Sequence, residues 1–186
     1  MSLIGFKAEN HPQQTDKRGA KDSVDDRRTP AYYWDALDEL LGFTLDAAAV
    51  EENSKTEKWC RDGLSESWAG ERVWCNPPYS DLKSWVQKAW DEFQKADGPE
   101  LVAMLLPANR CEQVWWQELV EPQRESLSFR VRFLKGRMRF GRPGWVAPEK
   151  GDRPPFGVCL LLWARPSVGE KAIQKALQLD GTPPKV

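Results

Sequence analysis

Between Glu71 and Pro107 the sequence reads as a strand, a helix and a second strand, an order that leaves few folds open. Glu71-Arg72-Val73-Trp74-Cys75 is a short run suited to burial in a sheet. Starting from Leu82, the residues Trp85, Val86, Ala89, Trp90 and Phe93 follow at i+3, i+4, i+7, i+8 and i+11, one continuous face of a helix. Asp97-Gly98-Pro99 stops that helix, and Leu101-Val102-Ala103-Met104-Leu105-Leu106 is an apolar strand closed by Pro107. Two strands joined by a crossover helix lie parallel in one sheet. The pattern therefore predicts an α/β fold around a compact, mixed and mostly parallel sheet.

The rest of the chain fits that frame. Thr29-Pro30 reads as the N-cap and first turn of a helix through Leu41, which Gly42 ends. Phe43-Thr44-Leu45-Asp46 is a short strand ending in a carboxylate, with Ala47-Ala48-Ala49 after it. A helix is expected over Glu112 to Val120, a strand over Phe129 to Leu134 and a last buried strand over Gly157 to Trp163. Ser167 to Leu179 reads as a surface helix. Residues 141–155 are rich in glycine and proline and read as a long irregular loop. Residues 1–28 are polar, with few apolar anchors, and read as a mobile tail before a single domain spanning 29–186.

Charge and composition exclude several classes. The net charge is −1, so any contact with nucleic acid must come from a local patch. Such a patch exists at 124–142, where Arg124, Arg130, Arg132, Lys135, Arg137, Arg139 and Arg142 are opposed only by Glu125. Phe129, Val131 and Phe133 alternate with Arg130 and Arg132. Beyond a turn at Lys135-Gly136, Arg137 and Arg139 alternate with Met138 and Phe140. This predicts a DNA-facing basic hairpin, although positive charge also serves merely to keep sheet edges from aggregating. No stretch of 18 apolar residues occurs, so no transmembrane helix is expected, and the first residues, Met1 to Gln14, have neither the apolar core nor the small-residue cleavage site expected of a signal peptide. The four cysteines form no CxxC pair and His11 is the single histidine. That argues against a zinc site and for a reducing, cytoplasmic setting.

The chemistry concentrates at Asn76-Pro77-Pro78-Tyr79, which follows a buried strand and precedes a helix, where open α/β sheets bind ligands. A Pro-Pro turn is the plain alternative. An exocyclic amino group of a nucleobase is a poor nucleophile because its lone pair is delocalised into the ring. Two fixed acceptors that hydrogen-bond both N–H atoms draw that lone pair out of the ring. The Asn76 side-chain oxygen and the Pro77 carbonyl can serve, with Pro77 and Pro78 stiffening the backbone. Tyr79 offers a ring for the base to stack on, and a base inside a duplex must be flipped out to reach it.

Together with these residues, several other segments resemble the phage-type DNA N-6-adenine methyltransferase family. They are Thr29-Pro30, Phe43 to Ala49, Asn53, Asp62-Gly63-Leu64 with Trp68, Leu105-Leu106-Pro107, Arg132 to Arg137, and Phe140-Gly141. The resemblance implies a Rossmann-like methyltransferase fold, with S-adenosylmethionine as donor. The acceptor it implies is N6 of adenine in double-stranded DNA, in the host cytoplasm if the protein is phage-encoded. Asn76, Pro77, Pro78 and Tyr79 would be catalytic. Thr29, Pro30, Asp46, Ala47, Asp62 and Asn76 would bind the cofactor, Asp46 near its methionine end, where capping a helix is the other role open to this residue. Arg130, Arg132, Lys135, Arg137, Arg139 and Arg142 would meet DNA. The chain departs from many methyltransferases in lacking Gly-x-Gly after the first strand, and only Glu51 and Glu52 stand where a ribose-holding acid is expected. The same two acceptors would also suit adenine in RNA, N4 of cytosine or a protein glutamine, and a relative that binds DNA without activity is a further alternative.

Overall fold

The computed structural model describes residues 27–141, 154 and 156–183. Helix α1 is Ala31–Leu41, with Tyr33, Leu37 and Leu41 as its buried stripe. Gly42 ends it at φ 63°, a left-handed conformation that favours glycine, and donates its N–H to the Asp38 carbonyl. Thr29 is not the cap expected from the sequence. Pro30 stands immediately before the helix, without a side-chain cap, while Thr29 is drawn inward and buried.

Strands β1 (Leu45–Asp46), β2 (Lys58–Trp59) and β3 (Arg72–Cys75) come next, then helix α2 (Leu82–Gln94) and strand β4 (Leu101–Pro107). Helix α3 (Val114–Leu119), strands β5 (Phe129–Phe133) and β6 (Val158–Ala164) and helix α4 (Glu170–Ala176) complete the set. The sheet order is β2-β1-β3-β4-β6-β5. β2, β1, β3 and β4 pair in parallel, and β6 runs antiparallel to both β4 and β5. The expected mixed, mostly parallel α/β architecture is what the chain forms, compatible with the methyltransferase fold.

Both long strands, β4 and β6, are buried along their whole length, as uniformly apolar sequences demand. Trp68, Trp74, Trp116 and Trp163 are fully buried, so these indoles build the core. Their N–H groups find acceptors where the core would otherwise strand them: Trp68 Nε1 donates to the Gly63 carbonyl and Trp163 Nε1 to Gln123 Oε1. On α2 the expected apolar face also carries buried Glu92, which accepts from Lys88, Lys95 and the Trp68 N–H. Gly63 is required by close approach, since a Cβ there would lie 1.9 Å from the Ala47 carbonyl oxygen.

The predicted basic hairpin does not form. β5 pairs with β6, from Phe129↔Trp163 to Phe133↔Cys159, and residues 137–140 make no strand. The apolar β6 is the better partner because it buries Phe129 against Trp163, ring centroids 4.7 Å apart. Met138 and Phe140 are nonetheless buried, as their alternation indicated, whereas Phe133 is 44% exposed. Residues 1–26 of the expected tail and most of the 141–155 loop, Arg142 included, lie outside the described residues. Arg28 belongs to the body, forming a bridge with Gly141. No helix among the described residues is long and apolar enough to cross a membrane.

Candidate active site

Strand order fixes the site. From β1 the chain crosses to β2 on one side, and from β3 it crosses to β4 on the other. The reversal falls between β1 and β3, and a crevice opens beyond their carboxyl ends at such a point. Asp46 pairs with Trp74 across those strands, so Asp46 ends one strand while Asn76 follows the end of its neighbour.

A cleft of about 270 Å³ opens there, lined by Arg27, Arg28, Thr29, Asp46, Glu52 and Asn76, with Ala48, Asn53, Ser54, Lys55 and Trp74 filling in the walls. Thr29, Asp46 and Asn76, far apart in sequence, thus meet in one place. Pro30, Ala47 and Asp62 are outside that lining. Asp62 is exposed and organises its own turn, accepting from the Leu64 N–H and the Ser65 hydroxyl. Of the two acids considered for the ribose, Glu52 lines the cleft and Glu51 does not.

Asp46 is 3% exposed. No helix follows it, so it caps none. Its Oδ2 accepts from the Lys55 N–H at 3.0 Å and its Oδ1 from the Ala48 N–H at 3.3 Å, folding residues 48–55 back over the strand end. Burial pushes its pKa up to about 6, with those two N–H groups and the Lys55 charge pulling the other way.

Asn76 is held from one side. Its Nδ2 donates to the Arg27 carbonyl, while its Oδ1 is buried without a hydrogen-bond partner. The Thr29 hydroxyl is a second buried, unpartnered polar atom beside the same cleft. Buried polar atoms in native proteins are nearly always paired, so these two oxygens beside the cleft are open to a donor. Next along the chain, Tyr79 is 8% exposed and its hydroxyl also lacks a partner. Phe140 and Phe156 stand edge-on to its ring at 6.1 and 6.0 Å.

The basic residues divide. Arg130 Nη1 donates to the carbonyls of Ser126, Leu127 and Phe129, and its Nη2 lies 4.0 Å from Glu170. Arg132 and Arg139 are half-buried, whereas Lys135 and Arg137 are exposed. Among the described residues no cluster of three or more His, Cys, Asp or Glu could hold a metal ion.

Sequence reasoning missed Arg27, Arg28, Ser54, Lys55 and Trp74 as cleft residues, and missed Phe140 and Phe156 around Tyr79. The arginine pair directly before Thr29-Pro30 was the one available signal for the first two.

The family model described as DNA N-6-adenine-methyltransferase (Dam) matches residues 17–171. A DNA N-6-adenine-methyltransferase of Escherichia phage T1 is 36% identical over 80 residues. That alignment takes in 41% of this chain and 32% of the phage protein, so the chain spans about a third of that relative's length.

Proposed function

The chain belongs to the DNA N-6-adenine-methyltransferase family, and we propose that it transfers a methyl group from S-adenosylmethionine to N6 of adenine in DNA. One observation carries the reading: Asn76, beyond the end of β3, has its amide nitrogen tied to the Arg27 carbonyl and its buried oxygen left to accept. An adenine amino group supplies the donor that this oxygen lacks, and the Pro77 carbonyl takes the second N–H. With both protons held, the nitrogen lone pair leaves conjugation and becomes nucleophilic, an interaction that strengthens toward the transition state.

The cleft residues suit the donor. Bound S-adenosylmethionine supplies an electrophilic methyl on its sulfonium. Asp46 would hold its ammonium, Glu52 its ribose hydroxyls, and the Thr29 hydroxyl a further polar group. The Asp62-Gly63-Leu64 turn, pressed under Ala47, would border the adenine end. Deep burial of Asp46 and the two orphaned oxygens are what the fit rests on.

The decisive experiment incubates the protein with labelled donor and with DNA or RNA, digests each to nucleosides and identifies the labelled base. N6-methyladenine from DNA is the expected product. Label in RNA, in cytosine or in protein instead would replace this reading with another amino-group acceptor.

Tyr79 tests the stacking role. Its hydroxyl is buried without a partner, so Tyr79→Phe removes nothing useful and keeps kcat/KM on DNA within about threefold. Tyr79→Ala loses the ring, worth about 1–3 kcal/mol, and lowers kcat/KM by roughly 5- to 150-fold. Equal damage from Phe and Ala would transfer the role to the hydroxyl.

Phosphate contact falls to Lys135 and Arg137, the exposed cations of the basic segment, with Arg132 and Arg139 behind them. Lys135→Ala and Arg137→Ala each flatten the slope of log affinity against log salt by about 0.9. Arg130→Ala leaves it unchanged, because three backbone carbonyls already occupy that guanidinium.

A further inference from the structure

Resting on the reading of Tyr79 as the base platform, we propose that Arg27 is the internal occupant of the target-base seat. Its guanidinium fills a cage of Tyr79, Phe140 and Phe156 until a base displaces it. The guanidinium carbon lies 5.9 Å from the centroid of Tyr79, 5.9 Å from that of Phe140 and 5.1 Å from that of Phe156. These are cation–π distances to three rings at once.

The argument begins with access. A base can stack on Tyr79 only if a ring face is open, yet Tyr79 is 8% and Phe140 5% exposed. Something has to leave before a base enters. Phe140 belongs to the hydrophobic core and is followed by Gly141, whose N–H and carbonyl both bond to Arg28. The Arg27 side chain is the group placed to move. Its backbone stays anchored, because Asn76 Nδ2 holds its carbonyl and Arg28 holds the Gly141 bridge. The guanidinium can swing out without disturbing the amide that presents Asn76 Oδ1.

Guanidinium and purine share the features the cage selects, being flat, delocalised and stackable on aromatic faces. Arg27 therefore keeps the seat closed in the absence of DNA and competes with the incoming base. Once released beside a polyanion, it faces phosphates, which favours the exchange in the presence of a duplex. A seat filled most of the time weakens apparent base affinity by the fraction of molecules in which it is open.

The test titrates the full-length chain with the deoxynucleoside of 2-aminopurine, whose fluorescence is quenched on stacking. Arg27→Ala binds it at least about fivefold more tightly than the parent, by removal of the competitor. Arg27→Lys, which keeps the charge but not the flat fork, falls between the two. Phe156→Leu in the Arg27→Ala background loses the gain. Equal or weaker binding by Arg27→Ala, or a gain that survives loss of Phe156, overturns the proposal. On DNA, Arg27→Ala lowers KM; a raised KM with a shallower salt slope would make Arg27 a phosphate ligand and overturn it as well. If the parent protein transfers no methyl group to any DNA, the proposed function fails, and the nucleoside titration still decides the cage.

Discussion

Asn76→Ala lowers the single-turnover rate of methyl transfer by about 100- to 1000-fold, the effect of removing one preorganised hydrogen-bond partner from a reacting centre. That corresponds to about 2.7–4 kcal/mol of barrier. The size follows from where the interaction is felt. Asn76 Oδ1 is buried and without a protein partner, so little water competes for it, and in the proposed role its whole effect would be directed at the amino group. The loss falls on the rate more than on donor affinity, because Asp46, Glu52 and the other cleft residues remain in place. Calorimetric titration with S-adenosylhomocysteine therefore gives a dissociation constant within a few-fold of the parent. A second consequence concerns the segment Arg27-Arg28, whose Arg27 carbonyl loses its bond to Nδ2 and whose amides exchange faster. A single-turnover rate within tenfold of the parent would remove Asn76 from the chemistry.

The architecture was legible wherever a pattern ran long enough to be unambiguous. The α2 periodicity runs from Leu82 to Phe93, and β4 and β6 are uninterrupted apolar runs, so helix, strands and parallel crossover all followed from local sequence. β2 did not, because two residues, Lys58 and Trp59, carry no periodicity. The basic hairpin shows a different limit. Alternation gave the buried side of 137–140 correctly, but pairing partners are chosen by non-local burial, and β6 offered Trp163 to Phe129. At Thr29 the pattern Thr-Pro before a helix is a sound local signal, yet Thr29 lines the cleft and its hydroxyl is buried.

The site was half legible for the same reason. Asp46 and Asn76 announced themselves because one ends a strand and the other directly follows one, and α/β sheets gather such residues at one edge. Whether Asp46 capped a helix or faced a cleft was undecidable from Asp-Ala-Ala-Ala. In the fold the chain turns back after Asp46 without starting a helix, and the Lys55 N–H donates to Asp46 Oδ2. Arg27 gave least away. An arginine at the end of a polar segment looks solvated, and the rings that enclose it stand at positions 79, 140 and 156. The sequence carries all four residues but not their meeting.

Donor affinity falls about tenfold between pH 7 and pH 5, and Asp46→Asn abolishes that dependence. Burial raises the Asp46 pKa from 3.8 to about 6 in the folded chain. A folded-state pKa above the unfolded one means that the protonated carboxyl, not the carboxylate, is the form that folding favours. Its stabilisation is complete below about pH 3.8 and is lost as pH rises through about 6. The difference amounts to about 3 kcal/mol of strain carried by the ionised form above that range. A cation in the cleft relieves it. If Asp46 pairs with the donor's ammonium, binding draws the carboxylate form and expels a proton from molecules still protonated. One pH unit below 6, that proton costs about tenfold in affinity. Glu52, Lys55, Arg27 and Arg28 also line the cleft, so the comparison with Asp46→Asn is what assigns the effect to one residue. The free protein reports the same group by a second route. As pH rises from 4 to 7, the stability difference between Asp46→Asn and the parent shifts in favour of the variant. A donor dissociation constant that stays level from pH 7 to 5, beside that stability shift, would leave Asp46 a buried acid with no ammonium to meet.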